Sequence, residues 1–267
     1  MKKMFFIAVS CLAITLWAQD LTFGVVPQQS PLVLSKKWIP ITKELSRLTG
    51  HDINFRTESS ITLFEKALYS GKYDIAYMNP YHYVVAHKKN NYKALVRAKK
   101  NIQGIVVSTK EKSFEDISNK KKERFLFPAP NAFAATLLIK YEFKKNFNIN
   151  IDKQFTVHYV NSHDSVYKGV ARKIGSYGGG IIRTFKNLSD AESKNKLHII
   201  HRSNMYPSHP IAFHQNISLN TQEKITKAIL NLPVSLLQKL NIKQFIPTDN
   251  QEYDIVKNLA VELDMYE

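Results

Sequence analysis

The chain has 267 residues, with 38 Lys and Arg against 22 Asp and Glu, for a formal net charge of +16. That length suits one large domain or two lobes of ordinary size. Cys11 is its one cysteine, which excludes an internal disulfide and leaves the chain beyond it without thiolate chemistry or a cysteine-based zinc site.

Met1-Lys2-Lys3 is a short basic head, Met4 to Trp17 is almost wholly apolar, and Ala18 is the small residue before polar sequence starts at Gln19. This layout predicts a secretory signal peptide over residues 1–18, cleaved after Ala18, and hence a periplasmic address. The apolar run is too short to cross a bilayer comfortably and nothing later approaches a span, so no membrane segment is expected after cleavage. Ser10-Cys11 resembles part of a lipoprotein cleavage site, but Cys11 lies mid-way through the apolar run, which argues against lipidation. Lys2 and Lys3 fall in the leader, which leaves a mature charge near +14.

Leu21 to Val26 alternates and predicts an opening strand, followed by a loop over Pro27 to Pro31 and an amphipathic helix from Trp38 to Leu48 that ends at Gly50. His51 to Arg56 predicts a second strand, Thr62 to Tyr69 a helix stopped by Ser70-Gly71, and Tyr73 to Tyr77 a third strand. Pro80 to His87 begins another helix, and Ala94 to Ala98 and Gly104 to Ser108 are further strands. The pattern restarts with strand Arg124 to Phe127, helix Ala132 to Phe143, strand Phe155 to Val160, helix Ser165 to Lys173 and strand Gly178 to Ile182. Leu197 to His201 is the last clear strand, and Thr221 to Leu230 and Tyr253 to Leu263 are closing helices. This rhythm predicts an α/β fold with parallel sheets covered by helices. The late return to helices divides it into two lobes: residues 19–104 plus 206–267, and residues 105–205 inserted between them.

The stretch from Arg124 to Phe143 carries most chemistry. An apolar strand meets a Pro-rich turn and a helix opening at Asn131, with Ala132, Ala135, Leu138 and Ile139 at helical spacing. Such a unit aims free N–H groups and the positive end of the helix dipole past the strand's carboxyl edge, a place that suits an anion. An empty βα unit has the same pattern. The charge favours the anion, since a positive cleft concentrates acidic small ligands. Nucleic acid is not an expected partner: the lysines are dispersed, with one local run at Lys120-Lys121-Lys122, and there is no basic helix face, zinc knuckle or RNA-binding aromatic motif.

Read in this order, the mature chain resembles the periplasmic substrate-binding proteins of phosphate, phosphite and phosphonate ABC importers over essentially all its length. The resemblance is carried by Phe23-Gly24-Val25-Val26-Pro27, by Gly71-Lys72-Tyr73-Asp74-Ile75-Ala76-Tyr77-Met78-Asn79-Pro80 and by Pro130-Asn131. It continues in Val160-Asn161-Ser162-His163-Asp164 and Tyr206-Pro207-Ser208-His209-Pro210-Ile211. Each piece is weak alone, and their order and spacing together are fairly specific. The resemblance implies a hinged monomer of the type II class, without catalytic activity, that closes on a small anionic ligand. Its implied partner is an ABC permease, or a membrane sensor kinase where the same fold serves signalling. The departures matter as much. Where phosphonate-binding members offer a Ser/Thr-rich run, this chain has Ala132-Phe133-Ala134. A tyrosine of the first lobe is replaced by Met78 or Ile61, and an aspartate that pairs with an ammonium aligns with His209. The implied pocket is poor in hydroxyls, has imidazoles in reach, and suits an aminophosphonate badly.

Candidate ligand contacts therefore comprise Asn131, Ala132, Phe133 and Ala134 at the helix start and His163 between a strand and a helix, which equally suits turn capping. Asn79 and Tyr81 lie where family ligands approach, although Asn79 also suits a helix cap. Tyr177, with the bare backbone of Gly178-Gly179-Gly180, is either a ligand-facing run or a plain loop. Arg183 can pair bidentately with an oxyanion or stand free on the surface, and His209 lies near the hinge or simply shapes a turn. The histidine pairs His82/His87, His198/His201 and His209/His214 lack the spacing and intervening Glu of a helical zinc hydrolase, so no metal is expected. With no Gly-x-Ser-x-Gly elbow, P-loop or dinucleotide fingerprint, neither a cofactor nor a catalytic residue is expected.

Overall fold

The computed structural model describes residues 20–119 and 122–265; the expected signal peptide and Lys120-Lys121 of the basic run lie outside them. The chain lays down strands β1 (Asp20–Val25), β2 (Asp52–Arg56), β3 (Ile75–Tyr77) and β4 (Lys93–Ala98), then crosses through residues 99–101 into a second sheet. There it builds β5 (Ile102–Thr109), β6 (Arg124–Phe127), β7 (Thr156–Tyr159), β8 (Tyr177–Ile181) and β9 (Leu197–Tyr206). Residues 207–209 return it to the first sheet for β10 (Pro210–Phe213) and β11 (Phe245–Pro247). The strand orders are β11-β4-β10-β3-β1-β2 and β7-β6-β8-β5-β9, each sheet flanked by helices.

Both sheets are mixed, where alternation alone predicts parallel ones. β1 is parallel to β2 and β3, and β6 to β7 and β8. β10 runs antiparallel to β3 and β4, and β5 antiparallel to β8 and β9. The crossings explain this. A strand that enters a lobe from the hinge must run away from it, opposite to neighbours whose carboxyl ends face the other lobe.

Alternation along β6 sorts its side chains onto two faces, as the pleat requires. Phe125 and Phe127 join Phe143, Phe155 and Tyr177 on one face, while Leu126 joins Val166, Tyr167 and Val170 on the other. Each buried aromatic or Leu contributes about 1.5–3 kcal/mol relative to exposure, so both helical layers are fixed by one short strand. The first helix, Pro31–Thr49, is longer than periodicity suggests because Pro31 opens it at a position where its missing N–H costs nothing. β10 and β11 are four and three residues long, too short for an alternation signal.

Candidate functional site

β6 ends at Phe127, and Pro128-Ala129-Pro130 turn the chain into a helix that starts wide. The N–H of Thr136 donates to the Ala132 carbonyl at 2.8 Å and that of Leu137 to the same oxygen at 3.3 Å. The Leu138 N–H donates to the Phe133 carbonyl, so a π-helical turn over Phe133–Leu137 precedes the α-helix Leu138–Phe147. The predicted continuous helix from Ala132 to Phe143 is corrected accordingly. Ala132 spends its own N–H on Ala129 at 3.3 Å and has no side chain to cap with. The N–H groups of Phe133, Ala134 and Ala135 come before the first helical donor and have no intrahelical acceptor.

Two glycines of the underlying sheet set this start. A Cβ at Gly104 would lie 2.2 Å from the Ala134 carbonyl oxygen, and one at Gly179 only 2.1 Å from that of Ala135. Both strands must be bare there for the turn to settle on them. The Phe133 ring packs edge-on against Tyr206 at 5.4 Å.

Around these amides the lobes meet on Gln28, Ile61, Asn79, His163 and His209, leaving a cavity of about 10 Å³, room for roughly one water. Asn79 is the helix cap that its position suits, and it also bridges the lobes beside the cavity. Its Oδ1 accepts from the His82 N–H at 2.8 Å as a helix cap, and its Nδ2 donates to the Asn131 carbonyl of the other lobe at 3.2 Å. His163 opens helix His163–Ala171, and its N–H donates across the lobes to the Gln28 carbonyl at 3.3 Å. Burial first, and the nearby Arg183 cation second, pull its imidazole down to about 3, so it is neutral at neutral pH. Its Nδ1 is buried without a partner, a costly arrangement unless something else completes it.

Arg183 joins the lobes. Its guanidinium donates to the Tyr77 hydroxyl at 2.6 Å and to Gln28 Oε1 at 2.9 Å, and lies over the Tyr77 ring at 5.7 Å. Arginine only donates, so Gln28 must present its oxygen there and its amide nitrogen to His209, 2.8 Å away. That nitrogen also only donates; His209 Nε2 therefore accepts, and its ring proton sits on Nδ1. Burial and then Arg183 hold His209 well below its ordinary pKa, which agrees with a neutral acceptor. The His209 ring stacks on Tyr77 at 5.3 Å. Among the described residues no carboxylate lies within ion-pair distance of Arg183. A half-buried cation facing two neutral imidazoles, a phenol and an amide is left to be neutralised by an anion.

Two expected contacts lie elsewhere. The Tyr81 hydroxyl donates to the Met265 carbonyl at 2.9 Å, away from the cavity. Tyr177 starts β8 at the end remote from the hinge, between the rings of Phe125 and Phe155 at 5.7 and 5.9 Å. The glycines after it face lobe interior, not ligand. Gln28 and Tyr77 are not among the expected contacts; Tyr77 ends β3 and Gln28 lies just past β1, at carboxyl ends that face the cleft, the place where open α/β sheets bind ligands. Among the described residues no group of three or more His, Asp or Glu is placed to hold a metal ion, and no helix is long and apolar enough to cross a membrane.

Replacing His163 with Ala is expected to weaken anion binding about ten-fold or more, as the loss of one hydrogen bond to a charged group costs about 1.5–3 kcal/mol. Calorimetry with methylphosphonate reads this directly, and an unchanged dissociation constant would assign His163 to turn geometry alone.

The model of the ABC-transporter phosphonate periplasmic substrate-binding protein family matches residues 23–253. The binding-protein component of an ABC phosphonate transporter from Pseudomonas aeruginosa has a similar structure, with a TM-score of 0.85 at 18% identity over 92% of this chain and 87% of the other. PhnD1 from Prochlorococcus marinus, solved in complex with methylphosphonate, gives 0.84 at 18% identity over 92% of this chain and 99% of the other. A histidine kinase sensor domain with similarity to periplasmic binding proteins gives 0.56 at 11% identity, covering 90% of this chain and 95% of the other. At these identities the structural likenesses speak to the fold.

Proposed function

The chain belongs to the family of periplasmic substrate-binding proteins of ABC phosphonate transporters, and from that premise we propose that it captures one small phosphonate-like oxyanion between its lobes for an ABC permease. The observation that carries the reading is Arg183, a cation from one lobe held against Tyr77 and Gln28 of the other without a carboxylate. Close by stand the unspent N–H groups of Phe133 to Ala135 and the partnerless His163 Nδ1. An oxyanion accepts from all of these at once, and its contacts to both lobes favour the closed state. Nothing in this arrangement calls for a catalytic step. Reporting to a membrane kinase is the second reading, supported by the fold shared with a kinase sensor domain. Uptake of labelled methylphosphonate with and without the protein separates the two.

The pocket also argues for a ligand without an amino group. An ammonium reaching His209 meets a neutral imidazole and the Arg183 cation, with no carboxylate to accept it. 2-Aminoethylphosphonate is expected to bind at least ten-fold more weakly than methylphosphonate in paired titrations, about 1.4 kcal/mol. Equal or tighter binding of the aminophosphonate would overturn this account of the pocket.

A further inference from the structure

Beside the hinge the two lobes leave a groove of about 470 Å³. Ile102, Ile181 and His209 line both this groove and the small inner cavity, so one shared wall separates them. Beyond that wall the groove is apolar at Ile182 and Ile242 and basic at Lys99, Lys100, Lys186 and Lys243, with no Asp or Glu in its lining. Among the described residues none of these four lysines has a carboxylate within ion-pair distance. Lys112, Lys140, Lys145, Lys173 and Lys196 on other faces each have an acidic neighbour, whereas these four lysines share one groove that offers them none.

We infer that this groove receives the substituent of the ligand, and that the substituent is a short apolar chain ending in a second acid group such as a carboxylate. The inference rests on the inner cavity taking the phosphonyl head. That cavity has room for about one water, so it must widen to admit the head, and a substituent then finds its space across the wall formed by Ile102, Ile181 and His209. What it meets there first is isoleucine, which favours methylene groups, and then ammonium groups, which favour a terminal anion. Arg183 lines the groove as well, so the two ends of such a ligand would share one guanidinium. The opposite charge on the substituent is disfavoured by the same lysines.

Propylphosphonate and 2-carboxyethylphosphonate are close in size and differ in the terminal group. In low-salt calorimetry the carboxylate compound is expected to bind at least ten-fold more tightly, since each exposed ion pair adds a few-fold and several act together. A Lys186→Glu/Lys243→Glu double variant should erase that preference while methylphosphonate affinity changes by less than about three-fold. Equal binding of the two compounds to the unaltered protein would overturn the inference and leave the anion reading standing. So would a variant that weakens methylphosphonate as much as the carboxylate compound. No binding of methylphosphonate to the unaltered protein would sink the anion reading, and the inference with it.

Discussion

Replacing Arg183 with Leu is expected to lower methylphosphonate affinity at least a hundred-fold. A guanidinium that turns its fork from Tyr77 and Gln28 onto an oxyanion makes charge-assisted hydrogen bonds worth about 1.5–3 kcal/mol each. Two of them amount to two to four decades of affinity at about 1.4 kcal/mol per decade. Lysine keeps the charge without the fork, so Arg183→Lys should fall between, about ten-fold below the parent. Calorimetry supplies both numbers, and a melting curve near that of the parent shows that the Leu variant is folded. A loss below about three-fold, within the range of an ordinary exposed ion pair, would make Arg183 a strut between lobes and leave the anion to others.

The second large effect concerns stability and binding together. Gly179→Ala places a Cβ 2.1 Å from the Ala135 carbonyl oxygen and 2.5 Å from the Phe127 ring. Neither can step aside, because the carbonyl belongs to the π-turn and the ring is sealed in the lobe core. Forced overpacking of this kind costs about 3 kcal/mol, which for a chain of this size lowers the melting temperature by roughly 6–12 °C. The turn can relieve the clash only by moving its free amides, so phosphonate affinity should fall as well. Gly104→Ala, whose Cβ would press on the Ala134 carbonyl at 2.2 Å, is expected to behave alike. A melting temperature within about 2 °C of the parent would mean that the helix start has slack, and that its wide turn is not set by the strands below.

Much of the molecule was legible in the sequence because its signals are local. Alternation in Phe125-Leu126-Phe127, Pro-rich turns and capping residues such as Asn79 fix strands and helix starts within a few residues, although the cap of the helix His163–Ala171 is Ser162 and not His163. His163 and His209 could be singled out because each stands at a strand end or hinge. The remainder depends on partners far apart in the chain. Arg183 meets Gln28 across 155 positions and Tyr77 across 106, so no window contains the pair. The wide turn at Phe133 is written in Gly104 and Gly179, not in its own helical pattern. Tyr177 misled for the converse reason. A glycine run beside an aromatic suggests exposed backbone, whereas here the missing side chains admit the Ala135 carbonyl and the Tyr167 ring into a packed lobe.

A crystal structure grown with saturating methylphosphonate tests the central claim most directly. The account predicts one anion between the lobes, its oxygens within hydrogen-bond distance of the Phe133, Ala134 and Ala135 amides, with the Arg183 guanidinium turned from Gln28 towards it. The His163 ring should have gained its missing partner, within the ordinary range of about 2.7–3.2 Å. An anion bound elsewhere on the surface, with the inner amides and Arg183 arranged as they are without it, would contradict the account.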